Sequence, residues 1–184
     1  AAQIFSFDEK QSRTIIGVLR DPYDKLVAEF RALAEGSAEN DTAYQLYDAC
    51  DVNTWVKQEL QKAREDKFRA DCRFLPQAEY FDGPNGINLP IDGRLMPLSF
   101  NEVMERHGYA TIHMGAPPAE TKCKVSSWSL DDEARAAVKD MYSHDFDLLC
   151  KHFGHCDADE ITCLSHLPGM CGGAPQAKMP VPEI

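Results

Sequence analysis

Residues 13–36 constrain the fold more than any other stretch of the chain. Arg13–Leu19 (RTIIGVL) is a short β-branched and apolar run that reads as a buried strand. It passes directly into Arg20-Asp21-Pro22, where Asp21 is placed to cap a helix and Pro22 to fill its first position. Tyr23, Leu26, Val27, Phe30, Leu33 and Ala34 then recur at three- and four-residue spacing until Gly36 offers a stop. Strand, tight turn and amphipathic helix in succession predict α/β architecture. A helix N-terminus beside an Arg is also an anion or phosphate pocket, which makes Arg20 the candidate binding residue. The structural alternative is that Arg20 pairs with a nearby carboxylate such as Asp24.

Beyond this unit helical stretches alternate with turns. Glu35–Asp41 is a polar loop, and Thr42 with Gln45 resembles a capping box for a short helix to about Ala49. A longer helix is predicted over Thr54–Ala70, with Trp55, Leu60, Ala63 and Phe68 available for burial. Its other face mixes Lys57, Lys62, Arg64, Lys67 and Arg69 with Glu59, Glu65 and Asp66, which favours a solvated, internally paired face over a polyanion site. Cys72–Phe81 and Arg94–Phe100 read as extended pieces, separated by the turn residues of Asp82–Gly86 and Asp92-Gly93. Ser99 with Glu102 predicts a capped helix ending near His107 and Gly108, and Tyr109–Met114 a further strand. Ser129 is expected to start a last helical region that reaches Gly154 with a break near His144. Trp55 and Trp128 are predicted core anchors, and His107 a favourable charge at a helix C-terminus.

Composition narrows the function classes. The 184 residues are 43% hydrophobic and 27% charged, which suits one globular domain with a real core. Residues 1–154 form the expected α/β domain, and 155–184 a Cys/Pro/Gly-rich tail docked on the domain or on a partner. A net charge of −11, from 19 basic and 30 acidic side chains, argues against a duplex nucleic-acid binder, which needs a basic face. No apolar run approaches the ~20 residues of a membrane-spanning helix. The opening Ala1-Ala2-Gln3 carries no charged-then-apolar leader and reads as a processed or trimmed end. Leu164–Ile184 holds four Pro and three Gly without any period, so order there would need the domain surface or a neighbour to hold it.

Seven Cys is an odd number, which leaves at least one thiol unpaired within the chain. Cys150, His152, His155, Cys156, Cys163, His166 and Cys171 fall within 22 residues. Three readings stand open for this cluster: disulfides that staple the tail to the last helix through Cys156, Cys163 or Cys171, a metal site without clean knuckle spacing, or free thiols. Cys50, Cys72 and Cys123 read most simply as buried thiols. Asn40-Asp41-Thr42 is a glycosylation sequon in a predicted loop, pointing no further than to a secretory history.

The run from Thr14 to Val27 (TIIGVLRDPYDKLV) resembles the strand–turn–helix of sulfotransferases that use 3′-phosphoadenosine 5′-phosphosulfate (PAPS), typically an apolar strand, Arg-Asp-Pro, Tyr, a basic residue and Leu-Val. Arg73-Phe74-Leu75-Pro76-Gln77 is similar to the Pro-Gln segment of the carbohydrate, Golgi-type members. Met96–Phe100 resembles their late strand–helix step, and Tyr142-Ser143-His144-Asp145-Phe146 with Leu149 their closing Tyr-x-x-Asp-Phe helix. The segments follow the family's order and span Arg13 to Gly154, about three quarters of the chain. The resemblance implies a P-loop-type fold with a small, mostly parallel sheet flanked by helices, PAPS as cofactor, and a 3′-phosphate gripped by Arg20 and by a Ser eight positions later. This chain has Ala28 there, so one hydrogen bond to a charged group, about 1.5–3 kcal/mol, is missing. The resemblance also implies a phosphosulfate loop before the Arg-Asp-Pro strand. Ala1–Ser12 contains no Gly and only Lys10 as a basic residue, and no general base can be assigned.

Together these features suggest a pseudoenzyme: a non-catalytic accessory or structural subunit on a degenerate sulfotransferase-like scaffold, acting through protein–protein contacts in a larger assembly. Its expected partner surfaces are the sheet edge near Ala1–Leu19, bared by the missing first strand–loop–helix, and the tail Leu164–Ile184. The alternative is a PAPS-dependent sulfotransferase that transfers a sulfo group to a carbohydrate-type hydroxyl, with its cofactor loop outside this chain. A third reading is a nucleotide-binding module that uses Arg20 without chemistry. The resemblance implies the secretory or Golgi lumen, the accessory reading an organelle complex. No metal site is assigned.

Overall fold

The predicted strand–turn–helix forms: β1 (Ile16–Leu19) leads through Arg20 and Asp21 into α1 (Pro22–Gly36). The computed structural model describes residues 14–36, 44–83, 86–113, 122–156 and 158. After α1 come α2 (Tyr44–Asp48), α3 (Val52–Glu65), and the short α4 (Arg69–Cys72) and α5 (Ala78–Phe81). Then β2 (Leu89–Asp92) returns beside β1, followed by a 3-10 turn at Gly93–Leu95 and α6 (Leu98–Arg106). A second 3-10 turn at Ser127–Ser129 precedes α7 (Asp132–Met141) and α8 (Ser143–Phe153). The chain is therefore α/β and largely helical, with one two-stranded parallel sheet among the described residues. Its register runs from Ile16 opposite Leu89 to Leu19 opposite Asp92.

Two apolar clusters hold the elements together. The larger one lies between α1, α2, α3 and α7, where Phe30, Tyr47, Trp55 and Phe74 form a chain of tilted rings with centroids 5.4–5.9 Å apart. Such ring pairs add about 0.5–1.5 kcal/mol each beyond area burial. The Trp55 Nε1–H donates to the Tyr47 hydroxyl at 3.1 Å, so the indole is buried without an orphaned donor. The smaller cluster joins the sheet to α5 and α8 through Leu19, Ala78, Leu148 and Leu149. Alternation along β1 sends Leu19 inward and leaves Ile16 and Val18 on the outer face, 39% and 37% exposed.

The α3–α7 contact is edged by charge: Lys57 reaches Glu133 at 2.9 Å and Asp131 at 3.5 Å, and Arg64 reaches Asp140 at 2.7 Å. The mixed-charge face expected on this helix is thus solvated except at Glu59, which is buried between Lys62 and Arg69, and much of its pairing crosses to a neighbouring helix. Along α3 itself Lys62 pairs with Glu59, and the Gln61 amide donates to Glu65 at 3.2 Å.

Several expected elements differ. The helix predicted over Thr54–Ala70 starts earlier, capped by the Asp51 carboxylate on Thr54 N–H, and stops at Glu65 because Asp66 turns extended. Phe68 is consequently exposed rather than buried. The pieces expected to be extended are not: Cys72–Phe81 is turns and α5, while the second strand lies at Leu89–Asp92 rather than in Arg94–Phe100. Ser99 does not cap α6; its hydroxyl donates to the Asp92 carbonyl, and Pro97 takes the cap position. Residues 109–113 form no strand but hang from α6 by paired hydrogen bonds between Asn101 and Ile112. Asp131, not Ser129, caps α7, and the break falls at Tyr142. Trp128 is no core anchor: it is 42% exposed. The Asn40 sequon, the Thr42 box, the first twelve residues and the tail Leu164–Ile184 lie outside the described residues.

Candidate functional site

The segment Phe74–Ala78 has no ladder of its own, and its buried main-chain groups need partners. Side chains from the two ends of the chain supply them. The Tyr142 hydroxyl donates to the Phe74 carbonyl at 2.9 Å, and the Lys25 ammonium to the Leu75 carbonyl at 3.0 Å. The Asp145 carboxylate, fully enclosed, accepts from the N–H groups of Gln77 at 2.9 Å and Ala78 at 2.8 Å. The Gln77 amide then grips Arg20 at both main-chain atoms, accepting from its N–H at 3.0 Å and donating to its carbonyl at 2.8 Å. Three of the motif segments quoted for the resemblance thus meet in one hydrogen-bonded clamp. Burial keeps the Tyr142 phenol protonated well above its ordinary range and pulls the Lys25 ammonium below its own.

The clamp fixes the backbone of Arg20 and leaves its side chain exposed. Among the described residues the guanidinium forms no ion pair, so the alternative of a pairing with Asp24 is not realised. The helix terminus beside it is already served. Asp21 Oδ1 accepts from Tyr23 N–H at 2.8 Å and Asp24 N–H at 3.3 Å, filling the first turn of α1 with the chain's own carboxylate. Burial raises Asp21 to about 6, with Asp24 adding to the effect and Arg94 opposing it. For a 3′-phosphate the turn offers the Arg20 guanidinium, while position 28, half-buried on α1, offers only a methyl group.

Arg20 stands at the carboxyl end of the sheet, the place where parallel α/β sheets bind ligands. The ends of the two strands approach so closely that a Cβ on Gly93 would lie 2.9 Å from the Leu19 carbonyl and 2.8 Å from Arg20 Cγ, which accounts for glycine there. Beside it Asp92, 5% exposed, accepts from the Arg94 backbone and guanidinium, and its Oδ2 lies 3.2 Å from His155 Nε2. In the sequence Asp92 is marked only as a turn residue and Arg94 as the start of an extended piece, because no local spacing connects Asp92 to His155, 63 positions away.

The cysteines correct one expectation. Cys50 and Cys123 are a disulfide rather than separate buried thiols, and Cys72 alone of those three is free, half-buried. In the C-terminal cluster Cys150 bonds Cys156, so a bridge does close on the last helix. Cys163, His166 and Cys171 lie outside the described residues. Among the described residues no group of three His, Cys, Asp or Glu is placed to hold a metal ion. His107 takes the C-cap position of α6, its N–H donating to the Val103 and Met104 carbonyls. No helix among the described residues is long and apolar enough to cross a membrane.

No protein-family model, curated protein or solved structure matches the chain.

Proposed function

We propose that this protein is a non-catalytic accessory or structural subunit built on a degenerate sulfotransferase-like scaffold, working through contact with another protein. The observation that carries this reading is the outer face of β1. Parallel sheets are ordinarily covered on both faces, yet Ile16 and Val18 stand more than a third exposed on theirs. An apolar protein surface is the occupant such a strand suits. The residues behind the resemblance favour a scaffold role as well: Lys25, Gln77, Tyr142 and Asp145 direct their polar atoms at main chain. On this reading the purified chain self-associates, and Ile16→Lys with Val18→Glu yields a monodisperse monomer of unchanged helical circular dichroism. A wild-type chain that is already a well-dispersed monomer in light scattering argues against it.

The second reading, a PAPS-dependent sulfotransferase acting on a carbohydrate-type hydroxyl, draws support from one observation: Arg20 is held by its backbone and open at its guanidinium. Titration calorimetry with adenosine 3′,5′-bisphosphate separates the two. Heat that disappears in Arg20→Ala favours the second reading, and no heat at millimolar ligand favours the first.

A further inference from the structure

The two disulfides among the described residues differ in exposure. Cys50–Cys123 ties segments 73 positions apart, with Cys123 wholly enclosed in the larger core and Cys50 half-buried. Cys150–Cys156 joins residues six apart, with Cys156 exposed and Cys150 half-buried in the last turn of α8. Inside this small ring the backbone reverses at Gly154, whose φ of +77° suits glycine. The Gly154 N–H donates to the Cys150 carbonyl at 2.9 Å, and the His155 N–H reaches the Leu149 carbonyl at 3.4 Å. His155 is thereby delivered to Asp92 at the carboxyl end of β2. On its C-terminal side the next described tether is the sulfur–sulfur bond of Cys156.

We propose that Cys150–Cys156 is a thiol–disulfide exchange site for dithiols, and that its state decides whether His155 lies against Asp92. A thiolate of the dithiol attacks the exposed Cys156 Sγ; the S–S bond breaks, and Cys150 leaves as a thiolate that takes up a proton. The second thiol of the reductant then attacks the mixed disulfide and releases Cys156 as a thiol. Two electrons and two protons reach the chain, and the reductant departs as a disulfide. Cys123 is enclosed and Cys50 half-buried, whereas Cys156 is exposed, so access favours reduction of Cys150–Cys156 first. Chain-entropy stabilisation grows with loop length, so losing the six-residue link leaves the fold standing where losing the 73-residue link weakens it. The outcome is local: His155 swings free, and the Asp92 carboxylate keeps, among the described residues, its bonds to Arg94 beside the open Arg20. This holds whichever function is correct, since it rests on the bridge and its neighbours.

Graded dithiothreitol on the full chain, followed by alkylation and mass spectrometry, tests it. Cys150 and Cys156 are expected to label at least about tenfold faster than Cys50 and Cys123, with helical circular dichroism unchanged. The His155 ring resonances should move to the positions found in Cys150→Ser/Cys156→Ser, which itself no longer responds to dithiothreitol at His155. If that variant does not fold, the partly reduced wild-type chain with Cys50–Cys123 intact gives the same reading. The proposal is overturned by any of four results: no Cys150–Cys156 bond in the oxidised chain, labelling in the reverse order or together, loss of helix on this reduction, or His155 resonances that stay in place.

Discussion

At Asp21, capping and burial act in opposite directions. Its carboxylate is needed by the Tyr23 and Asp24 N–H groups, yet the turn is dry enough to raise the acid to about 6. The unfolded chain releases this proton near pH 4. Between those values the folded state binds more protons than the unfolded one, so stability falls as pH rises through the window and levels off above it. Two pH units correspond to at most about 3 kcal/mol, and solvent reaching the turn reduces that. Asp21→Asn keeps a capping oxygen and removes the titration. Urea unfolding at about pH 4 and about pH 7 is expected to show the variant gaining about 1–2 kcal/mol on the wild type between the two; an unchanged difference would place the effect elsewhere. Asp21, Pro22 and Arg20 were legible because a cap, a first-turn proline and a flanking cation act within three residues. Gln77 and Asp145 were visible only as members of quoted segments. Their grip on Arg20 and on the Gln77–Ala78 backbone spans 57 to 68 positions, beyond any local pattern.

Elements whose stop signals are local were read well at one end and poorly at the other. The start of α1 follows from Asp21-Pro22, whereas the apolar period of α3 runs on past its true end to Phe68. What ends it is tertiary: Arg69 turns back to Glu59 at 2.6 Å, and Ala70, Asp71 and Cys72 all take positive φ between 49° and 63°. Non-glycine residues pay about 1–2 kcal/mol each for that conformation. Ala70→Gly should therefore raise the thermal midpoint, by an increment worth up to about 1 kcal/mol after the added freedom of the unfolded chain is counted. A lowered midpoint would mean that Ala70 is not left-handed in solution. The second strand escaped notice because Leu89–Asp92 contains Pro90 and ends in Asp92-Gly93, residues that ordinarily announce a turn. Pairing with β1 overrides that preference.

For the molecule as a whole, α/β class was legible from one strand–turn–helix, and the extent of the sheet was not. Neither was the Cys50–Cys123 bond, since spacing alone cannot match cysteines across 73 positions. Cys50→Ala with Cys123→Ala is expected to lower unfolding free energy by about 2–4 kcal/mol in urea titration, the usual range for a long closed loop. A loss below about 1 kcal/mol would show that the larger core holds α2 against the 122–130 segment without it. The parallel pairing also has a cost in time. The segment from Ile15 to Asn88, its hydrogen-bonded partner, spans 73 positions, and a ribosome adds about 5–20 residues per second. For several seconds a nascent β1 presents its unpaired amides and its apolar side chains to the cytosol or to a translocation pore, before any sequence able to zip onto them exists. A holdase that binds short apolar stretches during synthesis would find its best target in Thr14–Leu19.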